Sequence, residues 1–223
     1  QDLPSYVPTD GLVAYYPFNG NANDASGNGK NGTVDGANLT SGRFDNETSS
    51  YSFDGEDDWI DFIEHPNLKI KNSLTYSAWI NIEGMTNFMG IVGTGEGTVL
   101  TKTSSMLMVN RDYNLVFEIG NGSERKTITD VEKILDQNNW YHVVGTFNSD
   151  DGFIKLYLDG LLVESLDTNI SSLLTDISDS DNRFKIGVRD LFNSGYTYGW
   201  FKGKIDDVGI WNRALTEQEI QNL

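Results

Sequence analysis

The sequence has 223 residues, of which 38% are hydrophobic, and this is enough apolar surface for one sizeable core. It contains no cysteine, which excludes disulfides, thiolate nucleophiles and cysteine-ligated metal centres. The formal net charge of -17 is not offset by any basic segment, so the surface repels nucleic acid, and no apolar run is long enough to insert into a membrane.

Short apolar runs alternate with Gly- and Asn-rich turns along the chain, which is typical of an all-β sandwich. Residues 1–9 are predicted to form an N-terminal linker or a short strap, and residues 10–223 a single domain. The best alternation predicts a strand at Leu74–Ile82, with its apolar face toward the core and Trp79 on its other face. The other main strand candidates are Leu12–Phe18, Tyr51–Phe53, Trp59–Ile63, the runs around Met108 and Phe117, Trp140–Phe147, the two runs on either side of Asp159, and Gly203–Trp211.

Two local motifs are sharper than the general alternation. Asp159-Gly160 stands between two alternating runs and predicts a tight hairpin, because a type I′ turn needs positive φ at both central residues. Near the C-terminus, Thr216 and Glu219 have the spacing of a capping box, which predicts one short helix with Ile220 packed against the sandwich.

Several blocks, in this order, resemble the LamG-like jelly-roll domains of the concanavalin A-like lectin/glucanase superfamily: "GLVAYYPFNGNANDASGNGKNGT", "SFDGEDDWIDF", "LTYSAWINI", "WYHVVGTF" with "IKLYLDGLLV", and "FKGKIDDVGIWNRALTEQEI". The resemblance covers roughly residues 10–223. It implies a jelly-roll sandwich of two antiparallel sheets, a structural calcium ion, and a place in an extracellular or cell-surface protein, with any signal peptide already removed. It does not settle function, because the superfamily contains lectins, glycosidases and protein-binding modules.

The loop "GNANDASGNG" offers oxygen ligands at the density that Ca²⁺ requires, namely Asn19, Asn21, Asp24 and Asn28 among permissive glycines. The alternative is a solvated turn in which Asp24 accepts hydrogen bonds from backbone amides, which is common for Asp and Asn.

The resemblance favours the metal and implies that Asp24 meets an acidic residue of the last strand. Neighbouring residues of a strand face opposite ways, so only one of Asp206 and Asp207 is expected to reach the loop, and Asp206 is the predicted ligand.

Glycoside hydrolysis is the less favoured hypothesis. Laminarinase-type members of the superfamily carry an E-x-D-x-x-E or E-x-D-x-E strand motif, and the nearest string here is "DDWIDFIEH". Trp59 stands where the first glutamate should be, so Asp61 and Glu64 lack a partner at nucleophile spacing. His142 is expected to be a packed residue and not part of a triad. The protein is therefore predicted not to be an enzyme.

Carbohydrate recognition needs aromatic faces for sugar rings and planar polar groups for hydroxyls. The segment "RDLFNSGYTYGWFKG" concentrates aromatics around glycines, and it supplies Arg189, Tyr196, Tyr198 and Trp200 as candidate sugar ligands. Trp59 is a further candidate. Packing beneath a long loop is the alternative for each of these rings.

The sequence thus predicts a calcium-stabilised, non-catalytic carbohydrate-binding module of an extracellular, bacterial type of protein, with a polysaccharide or glycan as its partner. The alternative is an adhesion domain on the same scaffold that binds other extracellular proteins and has no sugar affinity. A glycosidase ranks third.

Overall fold

The computed structural model describes residues 2–62, 70–94, 105–173, 184–189 and 199–223. Within these residues the chain is almost entirely β-structure. The elements are β1 (Leu12–Tyr16), β2 (Thr33–Asp35), β3 (Asn38–Thr40), β4 (Ser50–Asp54), β5 (Trp59–Asp61), β6 (Leu74–Ile82), β7 (Met89–Thr94), β8 (Ser105–Val109), β9 (Leu115–Gly120), β10 (Arg125–Thr129), β11 (Trp140–Phe147), β12 (Phe153–Leu158), β13 (Leu161–Asp167), β14 (Phe184–Ile186), β15 (Val188–Arg189), β16 (Gly199–Trp200), β17 (Lys202–Trp211) and α1 (Glu217–Asn222).

The strands form two antiparallel sheets and one separate hairpin. In the first sheet the order is β13-β12-β11-β6-β17-β4-β3, and β1 also pairs with β17. In the second sheet the order is β10-β9-β8-β7-β14-β5-β2, while β15 pairs with β16 alone. The prediction of an all-β jelly-roll sandwich with one short C-terminal helix is confirmed.

The core lies between the two sheets, and β6 shows why the sequence builds it. Leu74, Tyr76 and Ile80 alternate along β6 and are all buried in the main apolar cluster. The ring of Tyr76 crosses to the second sheet, where it meets Phe117 of β9 edge-on at a centroid distance of 6.3 Å. The alternating face predicted from the sequence is therefore the core face.

The predicted hairpin turn is also confirmed. Asp159 and Gly160 both have positive φ, at 50° and 78°, and they connect β12 to β13 with Leu158 opposite Leu161. The turn stands at the end of the first sheet, where β13 is the edge strand.

A second, smaller apolar cluster covers the outer face of the first sheet. Tyr15 of β1 and Trp211 of β17 point away from the main core and pack with Val7 and with Ile220 of α1. The Trp211 indole donates a hydrogen bond to the Pro8 carbonyl at 2.7 Å. Residues 2–9, for which a linker or a short strap was predicted, therefore pack along the sheet.

The helix that completes this cluster begins at the predicted capping box. The Thr216 side chain accepts from the Glu219 amide, and the Glu219 side chain accepts from the Thr216 amide. Ile220 is the buried residue of α1, as predicted. Among the described residues no helix has the length and apolarity to cross a membrane.

Candidate functional site

A row of residues runs straight across the second sheet, on the face opposite the core. Directly paired residues of antiparallel strands project from the same face, so the register fixes which side chains share it. Ile60, Ile186 and Phe117, which are sequence neighbours of row members, belong to the core and show that the row faces outward. In order across the sheet, the row consists of Thr33, Asp61, Lys185, Gly93, Met106, Glu118 and Thr127.

Three of the row residues are charged and almost completely buried. Asp61 is 5% exposed, Lys185 9% and Glu118 2%. Burying a charge is costly unless it is paired, and opposite charges alternate here to provide the pairs. Asp61 and Lys185 are direct register neighbours on β5 and β14.

Glu118 has cationic partners on two sides. Arg189 Nη2 and Arg125 Nε each lie 3.5 Å from one of its carboxylate oxygens. Thr127 donates its hydroxyl hydrogen bond to the same carboxylate at 3.2 Å. The outer face of the second sheet thus combines buried ion pairs with a small apolar cluster of Met106, Met108 and Val116, and we call this face the platform.

Two tryptophans stack at one end of this platform. Trp59 lies two residues before Asp61 on β5 and so projects from the same face, and Trp200 comes from β16. Their ring centroids are 5.5 Å apart, and the ring planes differ by 25°. Lys185 Nζ lies 5.4 Å from the centroid of the Trp59 ring. Both indoles are half-buried, so part of each remains accessible to solvent.

The hairpin β15–β16 that carries Trp200 lies against β7 because two glycines permit a close backbone approach. A Cβ atom at Gly90 would overlap the backbone of Val188 and Arg189, and one at Gly199 would overlap the Phe88 carbonyl. Thr86 adds a hydrogen bond of 2.7 Å from its hydroxyl to the Trp200 carbonyl.

The predicted sugar ligands therefore fall into three groups. Trp59 and Trp200, far apart in the sequence, are brought into contact. Arg189 lies nearby but is only 7% exposed, and its guanidinium rests on Phe88 at 5.3 Å and beside Glu118. Arg189 therefore helps to hold the platform in place and offers little surface to a ligand. Tyr196 and Tyr198 lie outside the described residues.

Asp24 of the predicted calcium loop accepts hydrogen bonds from three backbone amides. Its Oδ1 accepts from Tyr15 at 3.1 Å and from Ser26 at 2.8 Å, and its Oδ2 accepts from Lys30 at 3.0 Å. The Asn28 side chain donates to the carbonyls of Leu12 and Val13.

The rest of the loop follows the same pattern. Asn21 accepts from the amide of Asn23. These hydrogen bonds are those expected of the alternative to a calcium loop. In that alternative the side chains of the loop bond to its own backbone and to the backbone of β1.

The structure does not bring Asp24 and Asp206 together. The amide of Tyr15 donates to Asp24 and its carbonyl accepts from Ala25, so this edge of β1 faces the loop. The opposite edge of β1 pairs with β17, so β1 lies between Asp24 and the strand that carries Asp206. The two residues do not fit one shared ion, and calcium binding stays a prediction.

Asp206 instead joins Asp207 around Arg43. The Nη1 atom of Arg43 lies 3.0 Å from Asp206 Oδ2 and 2.5 Å from Asp207 Oδ2. The expected alternation of two adjacent aspartates fails because the register shifts between Asp206 and Gly209, with φ of Asp207 at 45°. This bulge lets both carboxylates reach the same guanidinium. Asn19 lines the same pocket as Asp206, whereas the other predicted ligands bond elsewhere.

His142 is packed, as predicted. It is 4% exposed, stacks on Trp79 at a centroid distance of 5.2 Å, and bonds Ser77 Oγ through Nε2 at 2.8 Å. Burial, together with the charge of Arg43, lowers the pKa of His142 to about 4. The ring is therefore neutral at physiological pH and has no solvent access for proton transfer. Glu64 of the hydrolase-like string lies outside the described residues.

A family model for the concanavalin A-like lectin/glucanases superfamily matches residues 54–221, about three quarters of the chain. The chain belongs to this superfamily. No protein of curated function matches the sequence.

Several solved structures share the fold of this chain. Domain 4 of AbnA, a GH43 extracellular arabinanase from Geobacillus stearothermophilus, in complex with arabinotriose, is 22% identical; the match covers 95% of this chain and 97% of that one, with a TM-score of 0.68. The CBM40 of the Ruminococcus gnavus IT-sialidase, bound to α2,3-sialyllactose, is 16% identical over 77% of this chain and 94% of its own, with a TM-score of 0.64.

A chain of botulinum neurotoxin type C, whose cell entry depends on interaction with two ganglioside molecules, is 18% identical. That match covers 96% of the chain described here and 50% of the neurotoxin chain, with a TM-score of 0.63. At these identities the likenesses establish a shared fold.

Sequence reasoning missed two charged members of the platform, Lys185 and Glu118. Lys185 in "FKIG" and Glu118 in "VFEIG" each place one charge in an otherwise apolar run. That local signal was available, since a charge within a buried strand requires a partner. The pairing itself depends on register between strands that are distant in the sequence.

Proposed function

We propose that this protein is a non-catalytic carbohydrate-binding module, and that its glycan lies on the outer face of the second sheet against Trp59 and Trp200. The stacked indole pair is the observation that carries the proposal. Sugar rings have one apolar face, and a flat, half-exposed aromatic surface is the side-chain geometry that complements it.

The platform beside the indoles supports this role. Its buried charges are held by fixed partners, as with Glu118 between Arg125 and Arg189, so their donors and acceptors keep constant positions. Because these charges are almost completely buried, they hold the strands of the sheet in position, and the polar contacts that orient a hydroxylated ligand come from exposed groups of the same face. Thr127 contributes a hydroxyl to the same face.

The non-catalytic part of the proposal rests on carboxylate spacing. Asp61 and Glu118, the two buried carboxylates of the row, stand on β5 and β9, which are four strand positions apart. At about 4.8 Å per strand their backbones are about 19 Å apart. Glycosidases place their two carboxyl groups about 5–9.5 Å apart.

The neighbours in fold support the ligand class and the setting. One is a domain of an extracellular arabinanase seen with arabinotriose, and another is a sialidase module seen with sialyllactose. We infer an extracellular glycan as the partner of this chain. The fold alone is also compatible with a protein partner, so the ligand must be tested directly.

Binding is tested with a defined panel. Wild-type protein is titrated calorimetrically with arabinotriose and with α2,3-sialyllactose, and is run in affinity gels that contain arabinan and other soluble polysaccharides. We expect binding to at least one of these ligands. Trp200→Ala and Trp59→Ala should each weaken it about two- to twelvefold, because each removes one aromatic surface of the stack.

Trp140→Ala is the matched control, since Trp140 is also half-buried but stands on β11 of the first sheet. Its binding should equal that of wild type. If no panel member binds, or if the variants at Trp59 and Trp200 retain full affinity, the proposed function is wrong and a protein-interaction role becomes the better account. Release of reducing sugar from a bound polysaccharide would contradict the non-catalytic part.

A further inference from the structure

The first sheet carries an open pocket that the platform does not use. It has a volume of about 160 Å³ and lies where the N-terminal segment, the loop after β3 and the bulge in the middle of β17 meet. Among the residues that line it are Tyr6, Asn19, Arg43, Phe44, Asn46 and Asp207. Pockets for drug-sized ligands have about 300–1,000 Å³, so this one has room for a single small ring.

Aromatic rings are unusually exposed at the pocket. Phe44 is 71% exposed and Tyr6 is 42% exposed. The Arg43 guanidinium stacks on the Phe44 ring at 4.6 Å and on Trp79 at 4.8 Å. One face of Phe44 is thus held in place, and most of its remaining surface is open to a ligand.

The polar lining favours a neutral ligand. Arg43 already pairs with both Asp206 and Asp207. An anion would meet the two carboxylates, and a cation would have to compete with the guanidinium that already pairs with them. A neutral molecule with hydroxyl groups avoids both penalties, and the side-chain amides of Asn19 and Asn46 offer it donors and acceptors.

The backbone around the pocket is held in uncommon conformations. Phe18, Asp45, Thr48 and Asp207 all have positive φ, between 45° and 59°. Each of them either lines the pocket or adjoins a lining residue. Positive φ is uncommon for residues other than glycine, and such conformations concentrate where a site is built.

We propose that this pocket is a second carbohydrate site, which binds one neutral sugar unit with its apolar face on Phe44 and Tyr6 and its hydroxyl groups on Asn19, Asn46 and Asp207. It is separate from the indole pair, because its strand residues belong to the first sheet and Trp59 and Trp200 do not.

The test is an NMR titration of ¹⁵N-labelled protein with free D-glucose, D-galactose and L-arabinose. Glucuronate and glucosamine serve as the charged comparisons. We expect at least one neutral sugar to shift the side-chain amide signals of Asn19 and Asn46 saturably. Phe44→Ala should lower the affinity for that sugar about two- to twelvefold, which is the range for loss of one aromatic contact.

Three further variants make the test decisive. Asn46→Ala is a second probe of the pocket, whereas Val131→Ala is the control for an exposed apolar side chain, since Val131 is 73% exposed. Trp200→Ala should leave the shifts at Asn19 and Asn46 intact, so failure here is distinguishable from failure of the platform. The proposal is overturned if no neutral sugar gives saturable shifts, if only a charged sugar does, or if Phe44→Ala and Asn46→Ala both bind like wild type.

Discussion

Asp24 is a single residue whose carboxylate organises an entire loop. It accepts from the amides of Tyr15, Ser26 and Lys30, so it joins β1 to two points of the glycine-rich segment. Asp24→Ala would leave these part-buried amides without their acceptor; a lost partner costs about 1–3 kcal/mol when the group is fully buried and less where water can replace it. We expect a clear drop in melting temperature, whereas Asp112→Ala, which changes an exposed aspartate, should have little effect.

Chelation separates this role from metal binding. An ion bound only to the folded protein would raise its melting temperature, and EGTA would remove that increment. Because Asp24 is engaged by amides, we expect Asp24→Ala to lower the melting temperature equally with and without EGTA. If the substitution had no effect in EGTA, Asp24 would act through calcium. If EGTA lowered the melting temperatures of wild type and Asp24→Ala equally, calcium would bind at other ligands.

At the scale of elements, the platform depends on how the hairpin β15–β16 sits on β7. Gly90→Ala would force the backbone of Val188 and Arg189 to move, since a Cβ atom there overlaps them. Overpacking of this kind costs about 1–3 kcal/mol. The displaced hairpin carries Trp200, so we expect the indole stack to separate and glycan affinity to fall with it.

The measurement is tryptophan circular dichroism together with binding. Gly84→Ala is the matched control, because a Cβ atom there meets the flexible Lys202 side chain and no backbone. If Gly90→Ala loses the indole signal but still binds the glycan, the stacked indoles are not required for recognition. An unchanged signal in Gly90→Ala would show that the hairpin does not depend on this close approach.

The elements themselves were largely predictable, and their juxtaposition was not. Alternation gave the core face of β6, Asp159-Gly160 gave the hairpin turn, and Thr216 with Glu219 gave the helix start, because each depends on residues close in sequence. The charged row depends on register across seven strands, which no local pattern encodes. The bulge at Asp207 was missed because it is a register shift of β17 against β6, a strand that is distant in the sequence.

At the scale of the whole molecule, the two sheets present different surfaces on their outer faces. The first is covered by residues 2–9 and α1, which leave the pocket beside Arg43. The second carries the ion-paired row and the indole pair. A glycan chain bound on one side would therefore leave the other side accessible. A module with two such sites gains avidity only for ligands that reach both, or for surfaces that carry many copies.

The pH dependence of stability combines opposing groups, so single variants are needed to resolve it. The pKa of His142 is lowered to about 4, so its stabilising contribution is complete above about 6.5 and is lost as pH falls toward 4. Burial, with the nearby charge of Asp207, raises the pKa of Asp206 to about 7, so its contribution is present below about 4 and is lost as pH rises toward 7. The wild-type curve contains both effects, which partly cancel.

His142→Gln removes one of the two effects. Across this pH window the variant does not acquire the cost of charging a buried imidazole, so its stability relative to wild type should rise as pH falls from about 6.5 to about 4. Urea unfolding at several pH values measures that difference, and the Asp206 contribution is common to both proteins. A difference that stays constant with pH would mean that His142 titrates alike in the folded and unfolded chains, which its stacking on Trp79 and its bond to Ser77 argue against.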